Sequence, residues 1–168
     1  MGSSPGWELL QHHTYLETLW IDDCDDLTQV PDSIRSLTSL QRLQITDCPT
    51  LGALPEWLGE LCSLRHLEVS WTRMIASLPQ SIGHLTSLTN LEIKGWDNLK
   101  LLPDAIQHLT SLESLDLVYC ESLAELPECI GQLSALRRLF IHGCPALQCL
   151  ERSNILLLYS ALFSFDWG

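Results

Sequence analysis

The sequence predicts an α/β solenoid bent into a horseshoe, with a parallel β-sheet on the concave face and short helical turns on the convex side. Two observations carry that prediction. The same order of residue types returns every 24 residues, from Leu16 through Leu40, Leu64, Leu88, Leu112 and Leu136, without an insertion or deletion. Within each period the apolar spacing changes from alternate residues to steps of three, as it does where a strand gives way to a helical turn. A fixed period of this kind marks an array in which each repeat is one coil, unable to bury its apolar face until a neighbour stacks on it.

Counting each of those leucines as position 1, position 4 is Leu19, Leu43, Leu67, Leu91, Leu115 and Leu139, and position 6 is Ile21, Ile45, Val69, Ile93, Leu117 and Ile141. Alternate side chains of a strand point to opposite faces, so positions 4 and 6 are buried and positions 3, 5 and 7 face out. Strands at a constant offset pair in parallel, and the rest of each coil is a right-handed return crossover. Position 12 is always Leu or Ile. Position 16 is Pro31, Pro55, Pro79, Pro103 and Pro127, and the residue before a proline is biased to extended backbone. The fixed φ of proline suits the first position of a helical turn. The next residue is Asp32, Glu56, Gln80, Asp104 or Glu128, mostly acids that favour a helix N-terminus. Apolar positions 19 and 22, such as Ile82 and Leu85, then return to the interior.

The ends keep only part of the pattern. Residues 1–15 form a partial coil, with Trp7 at the proline position and Leu10 at position 19. Six coils occupy 16–159, although the last keeps Leu147 and Leu150 while placing Glu151 at the proline position and Asn154 where Ile is expected. Residues 160–168 are a degenerate tail in which Phe163 and Phe165 suit a weak seventh strand. Neither end has the polar cap that solenoids normally need, so the chain is expected to be a piece of a longer array or the product of a truncated gene. Met1-Gly2 begins like a myristoylation site, but the sixth residue is Gly rather than Ser or Thr.

Composition narrows the function classes. With 46% hydrophobic residues the chain is a globular protein, and its net charge of −12 argues against a nucleic-acid partner, which needs a basic stripe. No signal peptide is evident, and the apolar run near Ile155 to Phe165 is too short to span a bilayer. The expected location is the cytoplasm. Of the seven cysteines, Cys24, Cys48, Cys120 and Cys144 all fall at position 9, just past the strand, where they are expected to be buried structural thiols. The chain lacks C-x-x-C, G-x-S-x-G, H-E-x-x-H and the phosphate-loop motif, so neither a metal site, an enzyme nor a nucleotide cofactor is expected. His84 and His108, both at position 21, suit a solvated surface.

The stretches LETLWIDDCDDLTQVPDSIRSLTSLQRLQITDCPTLGALPEWLGEL and LESLDLVYCESLAELPECIGQLSALRRLFIHGC share one form, L-x-x-L-x-I-x-x-C-x-x-L-x-x-L-P-x-x-I-x-x-L. Over about residues 7 to 150 this resembles the leucine-rich repeats of plant nucleotide-binding disease-resistance receptors, especially those of grasses. The resemblance implies a recognition surface for pathogen effectors, or for the receptor's own nucleotide-binding and signalling domains, in a defence response. The alternative is a generic intracellular leucine-rich-repeat scaffold, such as a plant Ras-group-related repeat protein, whose position 9 is usually Asn.

The coil fixes which side chains a protein partner would meet. Position 5 presents Trp20, Gln44, Glu68, Glu92, Asp116 and Phe140. Positions 3 and 7 add Arg42, His66 and Arg138, and Asp22, Lys94 and His142. Position 8 adds Asp23, Asp47, Trp71 and Tyr119. Large aromatics on an exposed sheet, set among polar neighbours, are typical docking anchors. Trp96, which replaces cysteine at position 9, is expected to fill the turn instead. Glu68, Glu92 and Asp116 should form a like-charge ladder along neighbouring strands, partly offset by Arg65, His66 and Lys94.

Overall fold

The computed structural model describes residues 6–147 and 163–166. Its sheet has strands β1 (Thr18–Asp22), β2 (Arg42–Thr46), β3 (His66–Ser70), β4 (Asn90–Lys94), β5 (Ser114–Val118), β6 (Arg138–His142) and β7 (Phe163–Asp166), ordered in space as in sequence. All neighbouring pairs are parallel and, from β1 to β6, join residues at the same position of successive coils, as in Leu43↔Leu67 and Leu67↔Leu91. The constant period dictates that register, since a one-residue slip would turn Leu67 and Val69 outward. Strand β7 extends the sheet with Leu139↔Phe163 and Ile141↔Phe165. Leu150, Glu151 and Asn154, and the residues before Gly6, lie outside the described residues.

On the opposite side run short 3₁₀ helices: η1 (Trp7–His12), η2 (Asp32–Ser36), η3 (Glu56–Glu60), η4 (Gln80–His84), η5 (Asp104–His108) and η6 (Glu128–Gln132). Their prolines sit one place earlier than the sequence suggests. Pro31, Pro55, Pro79, Pro103 and Pro127 are N-caps with extended ψ of 131 to 152°. Each proline carbonyl accepts the first hydrogen bond of its helix, as from Ile82 N to Pro79 O at 3.1 Å. Proline serves there because its φ is already fixed and its missing N–H is not needed outside the helix. Three-residue hydrogen-bonded turns match the spacing of positions 19 and 22, both of which enter the core.

Neighbouring coils are tied on this side too. The Glu56 carboxylate accepts from the backbone N–H groups of Gln80 and Ser81 at 3.2 and 3.0 Å, covering donors that η4 leaves open at its start. Those bonds, that from Ser81 first, hold the Glu56 carboxyl below its ordinary range. Arg35 grips Glu60 with two hydrogen bonds of 2.6 and 2.7 Å. The partial first coil joins the array through η1, with Trp7 and Leu10 packed against the core.

The core is a stack of Leu, Ile and Val from positions 1, 4, 6, 12, 15, 19 and 22, closed at position 9. There Cys24 and Cys48 donate to the carbonyls of Asp22 and Thr46, at 3.4 and 3.3 Å. Cys120 and Cys144 also reach carbonyls of the preceding coil, Ile93 and Leu117, at 3.9 and 3.6 Å. Trp96, fully buried, makes the equivalent bond from its indole N–H to Val69 O at 3.1 Å. Position 9 thus ties a coil to the one before it through a thiol at Cys120 and Cys144 and through an indole at Trp96. The cysteines among the described residues are free thiols. The neighbouring Cys144 and then burial push the Cys120 thiol up.

Candidate protein-binding surface

The outward side chains of β1–β6 form a face with two zones, a polar network at the centre and an aromatic edge where the strands end. The in-register acids are present as the sequence predicts, with Glu68 opposite Glu92 and Glu92 opposite Asp116. They do not stand as bare charges. Lys94 Nζ lies between Glu68 Oε1 and Glu92 Oε2, at 3.1 and 2.6 Å. Gln44 and Ser70 donate to Glu68 at 2.6 and 3.0 Å. Burial alone would raise the Glu68 carboxyl, but the hydrogen bonds from Gln44, Lys94 and Ser70 outweigh it and hold it below its ordinary value. The same carboxylates raise Lys94 against the opposing effect of its burial.

Asp116 shares the outward face but is covered on it. Only 8% exposed, it is covered by Arg138 at 2.9 Å and Ser114 at 3.0 Å. Burial, only partly countered by those two partners, raises its carboxyl. His66 is half-buried, with Nε2 3.7 Å from Glu92 Oε1. Burial and then the charge of Arg42 push its imidazole down, leaving it neutral at pH 7. One nitrogen of His66 and a carboxylate oxygen each from Glu68 and Glu92 lie within 4.8 Å of one another, a donor set of the kind that holds transition metals. The Lys94 ammonium already bridges its two carboxylates and balances one of their two charges.

At the edge, Trp71 and Tyr119 lie with ring centroids 5.9 Å apart and planes 30° from parallel. The row continues from Tyr119 to His142, edge-on at 5.1 Å with a 3.2 Å contact between the phenol oxygen and Nε2. His142 stacks on Phe140 at 6.2 Å, and Arg138 lies over the Phe140 ring at 5.5 Å. Trp71 and Tyr119 remain 40% and 46% exposed. Trp20 is 69% exposed and stands at the other end of the sheet, with no ring partner among the described residues. Asp22 accepts a hydrogen bond from Thr46, while Arg42, Asp23 and Asp47 are exposed.

Position 8 has a backbone of its own. Asp23, Asp47, Trp71 and Tyr119 have φ of 53, 50, 57 and 53°, and Gly95 and Gly143 complete the series at 66 and 65°. From Asp23 to Tyr119 these N–H groups still reach the next coil, as Trp71 N does to Lys94 O at 2.7 Å, so the left-handed turn lets the ladder close as the strand ends. The two glycines make room for the rings. A Cβ at Gly95 would lie 2.7 Å from Trp71 Cζ3, and one at Gly143 would lie 2.7 Å from Tyr119 Cε1. Neither glycine stood out in the sequence, although position 8 alternates Trp71, Gly95, Tyr119, Gly143. Met74, 60% exposed beyond the Trp71 turn, was missed too, because position 11 follows no pattern.

A parallel solenoid with a charged and aromatic strand face defines a repeat protein of the recognition type. The leucine-rich repeat region family matches residues 7–158, and the chain belongs to that family. It is similar to a leucine-rich-repeat protein of Leptospira interrogans, at 26% identity and a TM-score of 0.66, over 83% of this chain and 35% of that one. The leucine-rich-repeat ectodomain of the Arabidopsis thaliana receptor kinase SOBIR1 is 19% identical with a TM-score of 0.57, covering 76% of this chain and 68% of that one. A plant ice-binding protein is 18% identical with a TM-score of 0.60, covering 82% and 52%. The chain therefore spans about a third of the first of these proteins. No curated protein matches it. The chain is a leucine-rich-repeat solenoid, and no described helix is long and apolar enough to cross a membrane.

Proposed function

We propose that the chain is a protein-recognition scaffold whose concave strand face and strand-end edge receive a protein partner. The observation that supports it is the exposure of Trp20, Trp71 and Tyr119 around a pre-ordered polar network. Rigid aromatics beside satisfied polar groups are how docking surfaces gain affinity without ordering costs. The general scaffold is the reading that the family and the structural likenesses favour. A second reading, the recognition part of a plant immune receptor of the nucleotide-binding class acting in the cytoplasm, is favoured by the repeated position-9 cysteines. Its partner would be a pathogen effector or the receptor's own nucleotide-binding and signalling domains.

Binding of the purified chain to two defined panels tests this. One panel holds plant signalling GTPases; the other holds receptor nucleotide-binding domains and effectors. Binding that weakens at least about tenfold on Lys94→Glu, which reverses the charge at the centre of the face, supports recognition through the sheet, and the panel that binds selects the reading. Binding unaffected by Lys94→Glu and by Trp20→Ala, or no binding in either panel, overturns it.

A further inference from the structure

We propose that the strand-end edge of the first five coils is a docking track for an extended, arginine-bearing segment of a protein partner. The proposal deepens, and rests on, the protein-recognition reading. Its first support is the backbone. Position 8 is left-handed in every coil from β1 to β6, a conformation that glycine adopts freely and bulky aromatic residues rarely do. Trp71 and Tyr119 occupy it nonetheless. They stay 40% and 46% exposed there, so core packing does not explain the choice. Each ring lies against the bare backbone of a glycine in the following coil, and the two rings are neighbours, with centroids 5.9 Å apart and planes tilted by 30°. Strained residues held by their surroundings are a mark of functional positions.

The second support is charge. In the first two coils the same edge carries exposed Asp23, Asp25, Asp26 and Asp47, none in an ion pair among the described residues. Arg73, the cation nearest to Trp71 in sequence along this edge, faces Asp97 at 4.0 Å. Exposed aromatic ring faces beside carboxylates outside any ion pair match one side chain best. Arginine stacks its guanidinium on a ring while its N–H groups pair with a carboxylate, which lysine does poorly. Coils are spaced about 4.8 Å apart, so Asp23 to Tyr119 spans about 19 Å, the reach of about six extended residues.

The probe is an amidated oligoarginine of about six residues, with oligolysine of the same length as its control, titrated onto the intact chain at fixed salt. Oligoarginine is expected to bind about 3- to 30-fold more tightly than oligolysine. Trp71→Gly and Tyr119→Gly should each reduce that ratio to near one while leaving the melting temperature unchanged or higher, because glycine relieves the left-handed backbone. Asp23→Asn with Asp47→Asn should weaken both peptides and flatten the salt dependence. Equal binding of the two peptides, or an arginine preference that survives Trp71→Gly, overturns the proposal. So does concentration-dependent self-association lost on Trp71→Gly, which would assign the edge to a second copy of the chain. Panel binding that is sensitive to Lys94→Glu but not to Trp71→Gly would sink this inference and leave the protein-recognition reading standing.

Discussion

At position 9 the residue decides how well a coil is tied to its neighbour. Four coils use a thiol that donates to a carbonyl two residues back, and Cys120, Cys144 and the Trp96 indole also reach a carbonyl of the preceding coil. The third coil has Thr72, fully buried, whose hydroxyl has no hydrogen-bond partner among the described residues. A buried hydroxyl without a partner costs about 1–3 kcal/mol. Thr72→Val keeps the shape and removes the polar atom, so it is expected to raise unfolding stability by about 1 kcal/mol in a denaturant titration; a loss of stability would show the hydroxyl to be paired. The role of this position was legible because cysteine recurs there at the repeat period. The neighbouring position 8 was not, because Asp, Trp and Tyr carry no mark of a positive φ. Only Gly95 and Gly143 hinted at it, and their meaning depends on rings one coil away.

Strands and helical turns were legible because each depends on local periodicity that the chain repeats without interruption. What the period does not determine is how far a side chain reaches across strands. Lys94 joining two acids and Arg138 closing over Asp116 depend on such reach, which is why the acidic ladder reads from sequence as a repulsive row. The network makes stability depend on pH. His66 and Glu68 both titrate below their ordinary values when folded. Each therefore contributes stability that is complete above its unfolded pKa and is lost as pH falls through its folded one. For His66 the loss develops below about pH 6.5, and for Glu68 below about pH 4.3. Asp116, raised by burial, acts in the opposite sense and offsets part of the acid loss. Thermal melts are expected to decline first from about pH 6.5 downward, and His66→Gln should remove that upper limb while leaving the lower one. An unchanged upper limb in the variant would show that burial of His66 is not its source.

For the whole molecule, stability in a solenoid is a sum over coils and the contacts between neighbours, so deleting one whole period should keep a folded array. Removing Leu88 to Ser111 joins β3 to β5 in register, whereas removing only the first half of that coil, Leu88 to Leu99, leaves η5 without its strand. Cooperative melting is expected to survive the first deletion and not the second. The aromatic edge adds a distinction between coils that the period alone hides. Removing Leu40 to Ser63 brings Trp71 beside Asp23, which it does not crowd from above. Removing Leu88 to Ser111 takes out Gly95 and puts the Cβ of Tyr119 where the Trp71 ring lies. Both deletions retain the sheet register, yet the second is expected to melt at a lower temperature than the first. Adding Tyr119→Gly to that deletion restores a bare backbone under Trp71 and should recover stability, although it removes an aromatic side chain from a folded protein. Circular-dichroism melts of the three chains provide the measurement. If Tyr119→Gly lowers the melting temperature of the shortened chain, neighbouring coils do not require a glycine under each ring, and the alternation of Trp71, Gly95, Tyr119 and Gly143 has no structural cause.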